Sequence, residues 1–257
     1  MVWTKFPCPD SAYAYSAASL KKYWARLHVG GIEPLPKSPA LIKAWIAFHA
    51  GEFGHATRLG LAQGINGYSV ANRTACIYAI HLEKSDAKKL KAFEEVAARC
   101  EAQQSEQPKN VIGYYWHAYA LGRYAQGISI IKALAQGIGG KVKNSLDAAI
   151  RLAPKPADAH IALGTYHAEI VDKSGAMIGG LTYGAKMKFA YQHFNNALTL
   201  NADSAIAPIE YANALVILDG KNKMNEAVAL YEAAAVSLPA DAMERLAVEM
   251  VKEELAE

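Results

Sequence analysis

The chain has 257 residues, of which 52% are apolar and 20% are charged, and its formal net charge is +3 at pH 7. This balance allows a buried core and excludes a disordered chain. The basic residues occur in short, scattered clusters typical of solvated helix faces, so we expect no nucleic-acid partner.

The cysteines and the apolar segments indicate the cellular compartment in which the protein is expected. The three cysteines lie far apart and form no CxxC pair, which argues against a disulfide framework or a cysteine-rich zinc site. The first ten residues lack the continuous apolar core of a signal peptide. The most apolar window, 111–140, contains basic residues and glycines that are costly in a bilayer. We therefore expect a cytoplasmic protein with no membrane partner.

Residues 1–38 predict one helix followed by a stiff connector. Apolar side chains recur at alternating steps of four and three over 13–27, which places them on one helix face. A pair of glycines ends this helix, and a proline-rich segment follows. Ser38 and Pro39 then predict the start of the next helix, with serine as the N-cap and proline at the first helical position.

The pattern of residues 39–110 predicts two helix pairs. The first pair turns at Gly51-x-Phe53-x-x-Ala56. The second, over about 71–100, is inferred from helical periodicity alone.

Residues 111–240 contain the clearest repeated pattern. The pattern consists of pairs of helices. Leu121-Gly122 and Leu163-Gly164 each mark the first helix of a pair. The second helix of the pair that contains Leu163-Gly164 reads Ala-x3-Phe-x2-Ala-x2-Leu over 190–200. Small residues let two helices approach closely, while larger apolar residues fill the space beside them. The same spacing recurs over 142–154 and over 227–239.

This pattern resembles the tetratricopeptide repeat (TPR), a pair of antiparallel helices that stacks on its neighbours. The resemblance implies an all-α fold, a TPR-like α-solenoid of helix-turn-helix pairs with flanking helices, in a single domain over 1–257. Residues 39–110 are then degenerate pairs, 111–240 are the repeats, and 241–257 form a C-terminal capping helix. That helix opens with Asp241-Ala-Met-Glu244, a variant of the capping box, and we expect its polar face to cover the end of the solenoid.

Two glycine-rich insertions separate the helices of the third and fourth pairs. The step from the glycine of the first helix to the small residue of the second is 20 positions in the third pair and 26 in the fourth. This repeat type uses about 12. The extra residues fall at about 124–140 and 173–186, where we expect inter-helix loops. Such insertions make the chain similar to the TPR proteins of TRAP transporter systems and to TPR regulators of microtubule dynamics.

The resemblance implies a binding protein rather than an enzyme, with a concave groove lined by first-helix residues at fixed offsets from the Leu-Gly pair. Carried to this chain, the offsets give a candidate binding set of Trp116, Tyr119, Arg123, Gln126, Asp158, Thr165, Glu169 and Glu210. Trp116 and Tyr119 also fit ordinary core packing, whereas Arg123 and Glu169 are harder to explain as core residues.

The motifs predict no catalytic residue and no cofactor. The run Gly139-Gly140-Lys141 lacks the first glycine and the hydroxyl residue of a phosphate loop, although backbone amides there could hold an anion. Ser69 falls one glycine short of a nucleophile elbow and follows no strand, so we expect it to be a helix N-cap.

A metal site is not expected either. His160 and His167 lie two helical turns apart, with Glu169 beyond them and His193 on the partner helix. No HxxxH or HExxH spacing supports a metal ion, and these histidines fit packing or surface positions.

Two functions from different classes stay open. The main expectation is a scaffold that binds a protein or peptide partner in its concave groove. The alternative is a small-ligand-binding protein whose pocket is closed by the glycine-rich insertions. An open groove ending at Trp116 and Glu169 favours the scaffold, and a closed cavity under 173–186 favours ligand binding.

Overall fold

The computed structural model describes residues 3–31 and 33–256. Helices account for 78% of the chain, and the described residues contain no strand. The all-α prediction is confirmed. None of the described helices is both long enough and apolar enough to cross a bilayer.

Thirteen α-helices follow one another along the described residues, with short 3-10 turns at Ser11–Tyr13, Gly64–Gly67 and Gly220–Lys223. They are α1 (Ala17–Leu27), α2 (Pro39–His49), α3 (Phe53–Leu61), α4 (Tyr68–His81), α5 (Asp86–Glu106), α6 (Val111–Ile128), α7 (Ile130–Ala135), α8 (Ile138–Leu152), α9 (Ala157–Tyr183), α10 (Met187–Leu200), α11 (Ile206–Asp219), α12 (Met224–Ala235) and α13 (Ala242–Ala256).

Neighbouring helices along the chain pack against one another. The partners are α2 with α3, α4 with α5, α6 with α8, α9 with α10, and α11 with α12, and each pair also contacts the next. The predicted turn at Gly51 is present, with a φ of +81° between α2 and α3. Gly220 adopts a φ of +54° after α11. A positive φ is a conformation that glycine reaches without steric cost.

The predicted close crossing lies between α9 and α10. A Cβ atom added at Gly164 would stand 2.7 Å from a ring carbon of Phe194, and Phe194 is fully buried. The missing side chain at Gly164 therefore makes room for the phenylalanine ring.

The two insertions are helical, which differs from the expected loops. The first continues α6 to Ile128 and then forms α7, while the second continues α9 to Tyr183 with a break at Gly175, where φ is +77°. The two meet in one apolar cluster that includes Leu134 and Tyr183. Burial in this shared cluster stabilises helix where glycine-rich composition alone argues for loop.

Two predicted caps differ in detail. Ser38 occupies the N-cap of α2 with Pro39 after it, but the serine side chain makes no capping hydrogen bond. Ser69 is not an N-cap, because α4 begins one residue earlier and Gly67 takes that position. The Ser69 hydroxyl instead hydrogen-bonds the Glu33 carboxyl group.

The C-terminal helix folds back onto the beginning of the chain. Asp241 caps α13 as predicted, accepting the Glu244 amide at 2.9 Å. However, α13 contacts α2 as well as α11 and α12, and Arg26 pairs with Glu244 at 3.1 Å. The helix predicted to cover one end of the fold therefore contacts helices from both ends of the chain.

Candidate ligand cavity

A cavity of about 140 Å³, partly open to solvent, lies in the interior between α6 and α9. Side chains from α4, α7, α8, α11 and α13 complete its wall. All eight residues of the predicted binding set line it: Trp116, Tyr119, Arg123, Gln126, Asp158, Thr165, Glu169 and Glu210. Most of the remaining lining is aliphatic.

The cavity extends along both central helices, which run in the same direction. Near their starts, the carboxylate of Asp158 on α9 acts with burial to raise the pKa of Tyr115 on α6. Gln126, near the end of α6, donates a hydrogen bond to Glu169 in the middle of α9 at 3.0 Å. Tyr115 and Gln126 are three turns apart on α6, so the cavity is on the order of 15 Å long.

The first insertion covers one end of the cavity. Ile130, Ala133 and Leu134 of α7 line it, as do Ile138 and Gly139 at the start of α8. None of residues 173–186 contributes to the lining; the second insertion lies outside the first. The cover therefore comes from 124–140 and not from the longer insertion.

Gly122 explains why space remains at this point. It occupies the same repeat position as Gly164, yet a Cβ atom at Gly122 would meet no heavy atom within 4 Å. The space beside Gly164 is occupied by the Phe194 ring of the neighbouring helix α10, whereas the space beside Gly122 is part of the cavity.

Aromatic side chains form one wall. Trp116 is 5% exposed and packs edge-to-face on both Tyr115 and Tyr119. The same residues belong to the apolar core between α4, α5 and α6. Trp116 and Tyr119 therefore pack in the apolar core and also line the cavity.

Charged residues from three helices meet near the end of α6 and the middle of α9. Arg123 donates to Glu210 at 2.5 Å, and its guanidinium lies 5.3 Å from the centre of the Tyr119 ring. Burial opposes the charge of Arg123, but Glu210 and Tyr119 raise its pKa above the ordinary value. Arg123, Gln126, Glu169 and Glu210 thus satisfy one another across the place where a groove was expected.

A second recess, of about 280 Å³, adjoins this charged group on the outer side. It shares Arg123, Gln126, Thr165, Glu169 and Glu210 with the interior cavity. Its other lining residues come from α9, α11 and α12 and include the partly exposed Val216 and Ile217.

The opposite end of the cavity carries Arg73 and Asp158. Arg73 is 6% exposed, and its Nε has no hydrogen-bond partner among the described residues. Burial raises the pKa of Asp158, while the positive charge of Arg73 lowers it. Sequence analysis selected Asp158 but missed Arg73, which is the only Lys, Arg, Asp or Glu in α4. That isolated charge in an apolar helix was an available signal.

Arg73 begins a buried chain of polar groups that ends at the cap of α13. An Arg73 guanidinium nitrogen lies 3.4 Å from His28 Nδ1, His28 Nε2 lies 3.2 Å from His49 Nε2, and His49 Nδ1 lies 2.7 Å from Asp241. Burial lowers the pKa of both histidines. Burial opposes ionisation of Asp241, but its hydrogen bond with His49 holds its pKa below the ordinary value.

With both imidazoles neutral, the hydrogen bonds run in one direction. Arg73 donates to His28, His28 donates to His49, and His49 donates to the Asp241 carboxylate. Each imidazole then has one donor and one acceptor nitrogen in use. This chain fixes the position of Arg73 beside the cavity.

The histidines weighed as metal ligands form a separate cluster. His160 Nδ1 lies 2.9 Å from His193 Nδ1, and the His193 ring stacks on His167. Burial and the neighbouring histidine lower the pKa of His167 and His193 to about 4. No group of three or more histidine, cysteine or carboxylate side chains in the described part of the chain is arranged to hold a metal ion.

Comparison with protein-family models and with curated protein sequences finds no match.

Proposed function

We propose that the protein binds a small, largely apolar molecule in the cavity between α6 and α9. The observation that carries this proposal is the covered space beside Gly122, into whose lining the eight candidate residues fall. Its volume is close to that of an engineered protein cavity of about 150 Å³ that holds benzene. Binding rather than catalysis is proposed, since no nucleophile with an adjacent base lines the cavity.

The arrangement of the covering elements supports a ligand site over an open groove. In a TPR-like stack the concave surface is free for a peptide. Here α13 contributes Met243 to the lining and α7 lies over the far end. We propose that the five helix pairs are TPR-like and that these two helices adapt the stack to enclose a small molecule.

Filling the cavity tests this function. Gly122→Leu should place a side chain in the empty space and should abolish the binding of one-ring probes such as toluene, measured by calorimetry. The variant should fold at least as stably as the wild type, since a glycine inside a helix costs about 0.5–1 kcal/mol relative to alanine.

A matched control is Gly140→Leu. Gly140 is exposed, lies in α8, and also has no heavy atom near its Cβ position, but it does not line the cavity. It should leave toluene binding unchanged. Binding that persists in Gly122→Leu would contradict the proposed site.

A peptide-binding scaffold is the second candidate, and the outer recess favours it. That recess combines charged Arg123 and Glu169 with the partly exposed Val216 and Ile217. A peptide bound there should be weakened by Arg123→Ala and Glu169→Ala, because charged groups set register and specificity. Gly122→Leu should leave such a peptide unaffected, which separates the two functions.

A further inference from the structure

Two charged side chains at one end of the cavity, the buried Arg73 and the half-buried Asp158, have no ion-pair partner among the described residues. The Nε of Arg73 donates to no described group. Its terminal nitrogens contact His28 and the Met243 sulfur, and its guanidinium lies over the rings of Trp45 and Phe48. The carboxylate of Asp158 makes no side-chain hydrogen bond with any described residue. Unpaired charges and donors are costly in an apolar interior, so their presence at a cavity indicates a missing partner.

The two groups are close enough to influence each other but too far apart to pair. The charge of Arg73 lowers the pKa of Asp158, yet the two side chains form no ion pair. Burial raises the pKa of the nearby Glu33 carboxyl group, and the charge of Arg73 lowers it. Glu33 hydrogen-bonds Ser69 and does not line the cavity. Arg73 and Asp158 both line the cavity, which therefore has one positive and one negative group among its lining residues.

A ligand with a single charge compensates only one of these groups. A lone carboxylate bound to Arg73 would stand near Asp158, and a lone ammonium bound to Asp158 would stand near Arg73. A carboxylate is the partner that a guanidinium fork fits best. A molecule with adjacent carboxylate and ammonium groups pairs with both and leaves the net charge of the site unchanged.

Resting on the proposed ligand-binding function, we infer that the ligand is a small zwitterion, a free amino acid with an apolar side chain. Its carboxylate accepts from Arg73, its ammonium group donates to Asp158, and its side chain lies against Trp116 and the aliphatic wall toward α7. The length of the cavity allows both ends of such a molecule to be accommodated.

Gly30 positions the carboxylate that receives the ammonium group. The Asp158 amide donates to the Gly30 carbonyl at 3.1 Å, and a Cβ atom on Gly30 would stand 2.3 Å from Asp158 Oδ1. Only glycine leaves room for the carboxylate in this place. Gly30→Ala should therefore displace Asp158 without altering any residue of the apolar wall.

The test compares probes of one carbon skeleton by calorimetry on the full chain. L-phenylalanine carries both charges, 3-phenylpropionate lacks the ammonium group, and phenethylamine lacks the carboxylate. We expect L-phenylalanine to bind about tenfold more tightly than either. The set of L-leucine, 4-methylpentanoate and isoamylamine repeats the comparison with a smaller side chain.

Substitutions test which part of the ligand each of the two charged residues binds. Asp158→Asn and Gly30→Ala should each weaken amino-acid binding about tenfold and leave 3-phenylpropionate binding no weaker. Arg73→Lys keeps the charge but removes Nε, and it should weaken amino acids and acids together. Asp172→Asn, an exposed carboxylate on the same helix outside the cavity, is the matched control and should change nothing.

The outcomes separate this inference from the function on which it rests. If toluene binds and Gly122→Leu blocks it, but amino acids bind no better than their singly charged analogues, the zwitterion inference is wrong and the cavity function stands. If neither toluene nor any charged probe binds, both are wrong.

Discussion

The contact between Gly164 and Phe194 shows how a single missing side chain sets the spacing of a helix pair. The ring lies where the first side-chain atom of any other residue would stand. Gly164→Leu should overpack this crossing and lower the free energy of unfolding by about 1–3 kcal/mol, measured by urea denaturation.

The same change at Gly122 is the control, because that position faces the cavity and not a ring. Gly122→Leu should lose no stability. Equal destabilisation by the two variants would show that the space beside Gly122 is absent in solution.

The buried histidines predict a dependence of stability on pH. Burial lowers the pKa of His167 and His193 to about 4, below an unfolded value of about 6.5. The folded state therefore binds fewer protons, so its stability is constant above about pH 6.5 and falls as the pH drops toward 4.

Proton NMR titration of these two imidazoles measures the effect directly. Both should titrate below pH 5. His193→Gln should make the melting temperature fall less steeply between pH 6.5 and 4 than in the wild type. A pKa near 6.5 for either ring would contradict the burial of the histidine cluster.

At the scale of elements, the short helix α7 is the cover of the cavity. It is bounded by two residues with positive φ, Ser129 at 88° and Gly137 at 74°. Such a conformation suits glycine but strains serine. Ser129→Gly should therefore stabilise the fold, by about 1 kcal/mol in urea denaturation.

An exposed serine in the last turn of a helix, where φ is negative, provides the matched control. Ser105 lies in α5, where glycine is the weaker helix former. Ser105→Gly should thus destabilise the protein slightly. If the two substitutions shift stability in the same direction, the positive φ at Ser129 is wrong.

The elements could be predicted from sequence where local signals and packing agree. Gly51 and Gly220 mark turns because only a positive φ connects those helices, and the Gly164 and Phe194 spacing requires a close pair. The insertions could not be predicted, because their glycines argue for loops. The apolar cluster against which both Leu134 and Tyr183 pack supports helix there, and it depends on bringing distant segments together.

At the scale of the whole molecule, the return of α13 to the N-terminal helices turns a stack of pairs into a structure with an interior site. The Sδ of Met243 lies 3.5 Å from Arg73, 170 residues earlier in the chain. The eight candidate residues were selected by the groove offsets that the TPR resemblance implies, and all eight line the cavity. The inclusion of Arg73 and Met243 depends on this long-range contact, which no local pattern indicates.

A crystal of the protein soaked with bromobenzene tests the central claim, since the bromine can be located by its anomalous scattering. We predict a bromine site between α6 and α9, beneath α7 and beside Gly122. A bromine site only in the outer recess beside Val216 and Ile217, or none in either space, would contradict the assignment of the interior cavity as the binding site.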